Sequence, residues 1–399
     1  MDRNIEKVFL WVLREDANKE EIDKKTRHFK DNDWQELLDF SIANGILPLF
    51  YTRLLSLKLE NIPTGFLSNL KALYLTNLKR NIVLEKELLR VISHLKDNNI
   101  PVIPLKGPAL AEFLYDDLSL RQTSCDLDLL VRKEQLEQAE YALKEIGCSS
   151  CYGGEDGSLR NFNLKYYREL GFIKDSNRLS VELHIDIRQL FTFAPLEDFW
   201  ANIREFDIGG NKILVPSHES LLVYLSLVAM SINEFIGLRY LYDIHMLISK
   251  FKRDLNWKGL YLKLKNARYR GAVFFALKLS RDFFSSDIPQ HFLKKIKPGG
   301  IKVSFLRLWI NKRNVLRIRR DSGYSWYYFF TAWHYFVSSY LYSKGVFDCI
   351  TIIYRKIFLP LDGLAACYNL PSSKASYFLY IKRVLKPISN LWLRKYNRK

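Results

Sequence analysis

Cysteine is scarce in this 399-residue chain, which contains five, an odd number, at positions Cys125, Cys148, Cys151, Cys349 and Cys367. Few cysteines and no signal-like segment at the N-terminus argue against a disulfide framework and predict a protein of the reducing cytoplasm. Cys148 and Cys151 form one Cys-x-x-Cys pair. Because no second pair follows, a zinc ribbon is unsupported, and two incidental thiols are expected.

Acidic residues are nearly missing from the last quarter of the chain, where residues 301–399 contain 3 Asp and Glu against 18 Lys and Arg. This quarter therefore carries most of the net charge of +18, and the first three quarters are nearly balanced. A nucleic-acid groove across the central part of the chain is not expected from such a charge distribution.

Residues 324–343 contain no Asp, Glu, Lys or Arg and are crowded with aromatic residues. Their length fits a membrane span, but six Ser, Thr and His residues and many tyrosines lower the tendency to insert. The favoured interpretation is a helical subdomain whose aromatic stripe packs on the core. Peripheral contact of 301–399 with an anionic membrane surface, at the inner face of the membrane, is the alternative, and a true span comes third.

Hydrophobic periodicity and Pro/Gly punctuation divide the chain into four parts. We expect an N-terminal helical region (1–99), a mixed core with strands (100–215), a helical domain (216–298) and a basic, aromatic-rich helical region (299–399). Lys297-Pro298-Gly299-Gly300 is the best linker. In the helical domain, Arg239 and Asp243 are spaced to pair on one helix face. With 48% hydrophobic residues, the chain can bury a sizeable core.

The central stretch 100–131 suggests a site that binds phosphates and metal ions. A short apolar strand at about 100–105 is followed by Lys106 and Gly107, and Pro108 then opens a helix. The free N–H groups of a helix start, a glycine and a lysine together form a phosphate-binding corner. Arg121 is a second candidate for phosphate oxygens.

The same stretch ends in the sequence Asp126-Leu-Asp128-Leu-Leu-Val131, which reads as a core strand. Alternation along a strand brings Asp126 and Asp128 to one face and the leucines to the other. Two carboxylates two residues apart repel each other unless a cation lies between them. The two aspartates are therefore candidate metal ligands in need of a third.

The third ligand is expected from a second strand, which is predicted over 179–187 after another strand over 163–174 and a turn at 175–177. Within 181–187, Glu182, His184 and Asp186 alternate with aliphatic residues and share one face. Glu182 is the first choice as a metal ligand and Asp186 the second, while His184 would orient ligands or contact phosphate. By itself such a face is more often simply solvated; pairing with the Asp126–Asp128 strand favours a site.

These residues resemble a family, the bacterial nucleotidyltransferase-like proteins, whose fold is that of DNA polymerase β and most of whose members have no assigned substrate. The resemblance rests on Leu-Lys-Gly at 105–107, on Arg121, and on the Asp126–Val131 strand followed by a helix and Gly147. It extends to DWQELLDFSIANGILPLF at 33–50, VELHIDI at 181–187 and LRYLYDI at 238–244, and more weakly to RKIFLP and ACYNL near the end.

The resemblance implies an α+β fold with a small mixed sheet and flanking helical regions. It also implies two Mg²⁺ (or Mn²⁺) ions on Asp126, Asp128 and Glu182, and an NTP held by Lys106, Gly107, Arg121 and His184. The expected reaction moves an NMP from the NTP to an unidentified acceptor and releases pyrophosphate. Lys-Gly-Pro stands where characterised enzymes of the superfamily usually have Gly-Ser or Gly-Gly, which removes one hydroxyl contact to phosphate.

Two alternatives from other classes stay open at this point. The first is a catalytically inactive nucleotide-binding or regulatory protein, because members of this superfamily have lost catalysis and kept nucleotide binding. The second is a membrane-surface accessory protein of cell-envelope polysaccharide assembly that acts through its basic region 301–399.

Overall fold

The computed structural model describes residues 3–14, 16–152, 158–187, 197–231 and 238–317, together with Val337, 340–343, Phe347, Cys349, Ile350 and Tyr354. Most of the uncharged aromatic stretch 324–343 and the basic residues 374–399 lie outside these described residues. The predictions made for them, including membrane contact, fall on that part of the chain. Among the described residues, none of the helices combines the length and the apolar character that crossing a membrane requires.

Five helices precede the first strand. They are α1 (Arg3–Val12), α2 (Lys19–Thr26), α3 (Asp31–Ala43), α4 (Leu47–Leu57) and α5 (Thr64–Asp97). The 34-residue α5 follows Pro63 and ends at Asn98, and Asn99 then adopts a left-handed backbone with φ of 58°. Its buried stripe repeats every seven residues through Leu70, Asn77, Leu84 and Val91. A helix with such a stripe packs against the core along its whole length, and α5 contacts strands of the central sheet.

A five-stranded mixed sheet in the order β1-β2-β5-β4-β3 forms the centre of the fold. Its elements and their connections are β1 (Val102–Pro104), α6 (Pro108–Tyr115), β2 (Asp126–Val131), a 3-10 turn (Lys133–Gln135), α7 (Leu136–Glu145), β3 (Cys148–Ser150), α8 (Ser158–Tyr166), β4 (Glu169–Lys174) and β5 (Ser180–His184). The β2–β5 pair is parallel, and the other three pairs are antiparallel. The strand connections therefore bring the two acid-bearing strands side by side.

The remainder of the described chain is a short helix and a hairpin followed by helices. These are α9 (Glu197–Ala201), β6 (Arg204–Ile208), β7 (Asn211–Val215), α10 (His218–Ser231), α11 (Arg239–Phe251), α12 (Trp257–Leu264), α13 (Arg270–Phe284), α14 (Gln290–Ile296), α15 (Gly300–Trp309) and α16 (Lys312–Arg317). The β6–β7 hairpin turns at Gly209 and Gly210, both with positive φ. One apolar core runs from Ile5 in α1 to Tyr342.

The structure confirms the strand expected at 126–131 and places shorter strands, Val102–Pro104 and Ser180–His184, within those expected at 100–105 and 179–187, so that Asp186 lies beyond the strand end. It also corrects two local predictions. The strand expected over 163–174 begins only at Glu169, because α8 occupies Ser158–Tyr166. Arg239 and Asp243 do not pair with each other. Arg239 donates instead to the backbone oxygen of Gln122, 3.0 Å away, and Asp243 binds Arg121. Long-range partners thus replaced the i,i+4 pair that helical spacing predicted.

Candidate functional site

The acidic residues of the two central strands meet across the parallel β2–β5 pair. Asp128 is the register partner of Glu182, and Asp126 is the partner of Ser180. Register partners point to the same side of a sheet, so Asp126, Asp128 and Glu182 share one face. Asp128 is buried, and Glu182 is half-buried. His184 and Asp186 are buried as well, so the simply solvated face considered for 181–187 is wrong.

His184 lies within this acidic group. Its Nε2 atom is 3.2 Å from Asp128 Oδ1 and 3.6 Å from Glu182 Oε2. Its Nδ1 atom is 3.4 Å from Oε2 of Glu169, the register partner of His184 on β4. Burial alone would lower the pKa of His184, but the hydrogen bond to Asp128 and the neighbouring Glu182 and Asp128 carboxylates raise it to about 9. In this state the imidazole is a cation among three carboxylates.

Lys106 is the second cation at the site, with Nζ donating to Asp128 Oδ1 at 2.6 Å. Burial alone would lower the pKa of Lys106, but its interactions with Tyr224, Asp128 and Tyr240 together outweigh burial and raise the pKa. Burial would likewise raise the pKa of Asp128, and the neighbouring Lys106 and His184 instead hold it well below its usual range. Asp128 is thus a buried, fully ionised carboxylate that two cationic side chains neutralise.

Two carboxylate oxygens at this site, Oδ1 of Asp126 and Oδ2 of Asp128, are buried and have no hydrogen-bond partner among the residues that the structure describes. An unpaired buried acceptor is costly, and a charged one more so. A divalent cation with hard oxygen ligands satisfies atoms of this kind, and Glu182 supplies a further carboxylate opposite Asp128, whereas Asp126 lies outside the group of three side chains whose ligand atoms converge. The residues present therefore fit a metal ion. The ligand atoms of Asp128, Glu182 and His184 lie within 4.8 Å of one another.

The glycine corner lies against the same strand. Gly107 caps α6 with φ of 69° and ψ of −142°, a backbone conformation that residues other than glycine rarely adopt. The position of an added Cβ would lie 3.9 Å from the backbone oxygen of Asp126. Nearby, the backbone N–H of Leu105 donates to the backbone carbonyl oxygen of Asp128 at 2.9 Å. The start of α6, where the backbone N–H groups of Ala109 and Leu110 belong to the first helical turn, is thereby held beside the aspartates.

Arg121, predicted to bind phosphate, is fully buried and faces a carboxylate in α11. Its Nε and Nη2 atoms donate to Asp243 at distances from 2.9 to 3.2 Å, and Nη1 lies 3.5 Å from the oxygen of Gly107. The Tyr115 hydroxyl donates to the same carboxylate at 2.7 Å. Arg121 is placed to hold the glycine corner against α11, and its role towards phosphate stays a prediction.

The loop that enters β2 is held by α5. The Asn81 amide donates to the backbone oxygens of Leu118 and Arg121, at 2.7 and 2.9 Å, and accepts from the Thr123 hydroxyl. Asn77 also donates to the oxygen of Arg121, at 3.1 Å. These bonds satisfy carbonyl groups that strand pairing cannot reach. They fix the direction in which the chain approaches Asp126.

Sequence reasoning missed Glu169 and the two asparagines of α5. Glu169 fell inside a predicted strand whose alternation gave no reason to single it out; its position across from His184 comes from the β4–β5 register. The asparagines had a detectable signal, because they are polar residues inside a heptad stripe that is otherwise apolar. Asp186, the second choice for the third acid, is buried two residues beyond the end of β5.

A family model described as uncharacterised nucleotidyltransferase matches residues 30–285, which include every residue of the site. The chain belongs to this family. Its fold is α+β, with a polymerase β-type nucleotidyltransferase core that the mixed sheet forms. No curated protein sequence matches the chain. The solution structure of the antibiotic-resistance factor ANT(2'')-Ia is similar over 43% of this chain and 86% of its own, with 10% identity and a TM-score of 0.31.

Proposed function

We propose that this nucleotidyltransferase-family protein moves an NMP from an NTP to an acceptor hydroxyl or phosphate group, releasing pyrophosphate in a metal-dependent reaction. One observation carries the proposal: within the described part of the chain, the buried carboxylate oxygens Oδ1 of Asp126 and Oδ2 of Asp128 have no hydrogen-bond partner and lie beside a glycine-capped helix start. Unpaired carboxylates bind cations, and the N–H groups at the start of a helix bind anions. A metal-bound nucleoside triphosphate combines both.

Asp126, Asp128 and Glu182 would hold the divalent ions, Mg²⁺ or Mn²⁺. When bound, such ions polarise the α-phosphate, activate the acceptor oxygen and neutralise the leaving pyrophosphate. Lys106 now neutralises Asp128. With cations on the carboxylates, its ammonium group would be free to turn towards the triphosphate, and the backbone N–H groups of Ala109 and Leu110 would hold phosphate oxygens. The ion pair of Arg121 with Asp243 keeps that corner in place.

The test is transfer of label from α-³²P NTPs to acceptors in a cell extract, together with pyrophosphate release, with and without divalent cations. Asp126→Asn should abolish both signals while leaving the circular dichroism spectrum unchanged. Asp287→Asn is the matched control, since Asp287 is an exposed aspartate paired with Lys252. Turnover of Asp126→Asn at the wild-type rate would refute the mechanism.

A second function, nucleotide binding without catalysis, is favoured by one contact. Lys106 Nζ lies 2.6 Å from Asp128 Oδ1 and supplies an internal positive charge where catalysis needs a metal. If this ion pair persists with nucleotide bound, calorimetry will show that ATP binds equally well with and without Mg²⁺, and no pyrophosphate will form with any acceptor. Cation-dependent ATP binding followed by pyrophosphate release excludes this second function.

A further inference from the structure

We propose that His184 is itself a metal ligand, through Nε2, and that Asp128, Glu182 and His184 form a mixed oxygen–nitrogen site for a first-row transition metal ion in preference to Mg²⁺. This inference deepens the proposed function and rests on it. It differs from the expectation drawn from the sequence, in which His184 only oriented ligands or contacted phosphate.

The distances suit one shared ion. His184 Nε2 is 3.2 Å from Asp128 Oδ1 and 3.6 Å from Glu182 Oε2, and the ligand atoms of the three residues all lie within 4.8 Å. Ligands bound about 2.0–2.2 Å from an ion lie roughly 3 Å from one another, so small rotations bring the three groups into a coordination shell. The unpaired, buried Oδ2 of Asp128 points to the same conclusion independently.

Glu169 orients the histidine for this role. Its Oε2 atom lies 3.4 Å from His184 Nδ1, on the side of the ring opposite Nε2. A metal-binding histidine generally donates its other N–H to a carboxylate, which fixes the tautomer and the orientation of the ring. A metal ion that binds here would displace the Nε2 proton of the imidazolium, while the Nδ1 proton stays directed at Glu169 and the freed Nε2 lone pair faces Asp128 and Glu182. Glu169 is therefore a positioning residue of the site.

The nitrogen ligand determines the choice of metal. Mg²⁺ prefers oxygen ligands and keeps several waters, whereas imidazole is a good ligand for first-row transition metals. A site made only of Asp126, Asp128 and Glu182 would discriminate little in favour of these metals. With His184 included, affinity should rise from Mg²⁺ to Mn²⁺ and further to Co²⁺, following the general order of divalent ions.

The experiment measures metal binding to the full chain, separately from activity. Dissociation constants for Mn²⁺, Co²⁺ and Mg²⁺ are obtained by calorimetry, and pulsed electron paramagnetic resonance of bound Mn²⁺ detects coupling to histidine nitrogen, with ¹⁵N-histidine labelling to identify its source. We expect nitrogen coupling in the wild type and its loss in His184→Gln. Mn²⁺ should bind this variant at least ~10-fold more weakly, and Mg²⁺ less than about 3-fold more weakly.

Glu169 variants separate positioning from packing. Glu169→Ala should weaken Mn²⁺ binding about 10- to 100-fold, whereas Glu169→Gln keeps an oxygen that accepts the Nδ1 proton and should retain the nitrogen coupling. The control is His94→Gln. His94 is also paired with a glutamate, Glu145, at 3.1 Å, but lies outside the site. Its variant should leave every constant unchanged.

The outcomes distinguish this inference from the proposed function. Bound Mn²⁺ without histidine coupling, or coupling that persists in His184→Gln, overturns the inference even if NMP transfer continues. Histidine coupling together with the Mn²⁺ preference supports it even if no acceptor yields pyrophosphate, in which case the proposed reaction is the part that fails.

Discussion

The buried ion pair between Arg121 and Asp243 should be among the most important polar contacts of this fold, and Asp243→Ala tests it. The two side chains are 2% and 0% exposed, and three donor–acceptor distances between them lie from 2.9 to 3.2 Å. Asp243 also accepts from the hydroxyl of Tyr115. The alanine variant would therefore leave a guanidinium group uncompensated in the core and a phenol without its acceptor.

The expected loss follows from these contacts. Removing one partner of a buried pair costs about 3–5 kcal/mol, because the remaining charge stays desolvated. The orphaned Tyr115 hydroxyl adds about 1 kcal/mol or more. We therefore expect Asp243→Ala to lower the free energy of unfolding by roughly 4–6 kcal/mol, which is comparable with the whole stability of many proteins. Since Arg121 Nη1 lies near the Gly107 oxygen, nucleotide affinity should also fall.

Urea unfolding followed by tryptophan fluorescence measures this loss. A second variant, Asp243→Leu combined with Arg121→Met, removes both charges and should recover at least half of the lost stability, because a hydrophobic pair of similar size avoids the desolvated charge. Asp116→Asn is the control. Asp116 pairs with Lys250 at the surface, where the two side chains are 73% and 25% exposed, and this pair should contribute less than about 1 kcal/mol to the free energy of unfolding. A loss below about 1 kcal/mol for Asp243→Ala would refute the reasoning.

Three further predictions concern single positions. Gly107→Ala should lower the free energy of unfolding by about 1–3 kcal/mol and weaken ATP binding, because the backbone φ of Gly107 is 69°. Gly299→Ala is the control and should change neither quantity, because φ of Gly299 is −54°. Equal urea midpoints for the two variants would contradict this prediction. Burial and the Arg204 charge lower the pKa of His218 below 6.5, so protonation favours the unfolded chain. The free energy of unfolding should fall as pH drops through 6.5, and less so in His218→Gln; parallel pH profiles would exclude the effect. Asn81→Ala should cost about 1–3 kcal/mol, read from thermal unfolding, since the Leu118 carbonyl and the Thr123 hydroxyl lose this partner while the Arg121 carbonyl keeps Asn77.

Much of the central site was predictable from local sequence. The alternation in Asp126–Val131 and 181–187 correctly predicted two strands with acids on one face, because the period of a strand is two residues. Glycine and proline at 107 and 108 likewise predicted the start of α6. Local pattern failed at Arg239 and Asp243, where helical spacing predicted a pair but both side chains have long-range partners.

The sequence alone determined which side chains could bind cations or phosphate and on which strands they lie, because strand and helix periods depend only on neighbouring residues. Only the tertiary structure decided that Asp128 is the register partner of Glu182, that Glu169 lies behind His184, and that Arg121 is bound to Asp243. Register and long-range ion pairs depend on how distant segments pack together. That packing is a property of the whole core, and no local pattern encodes it.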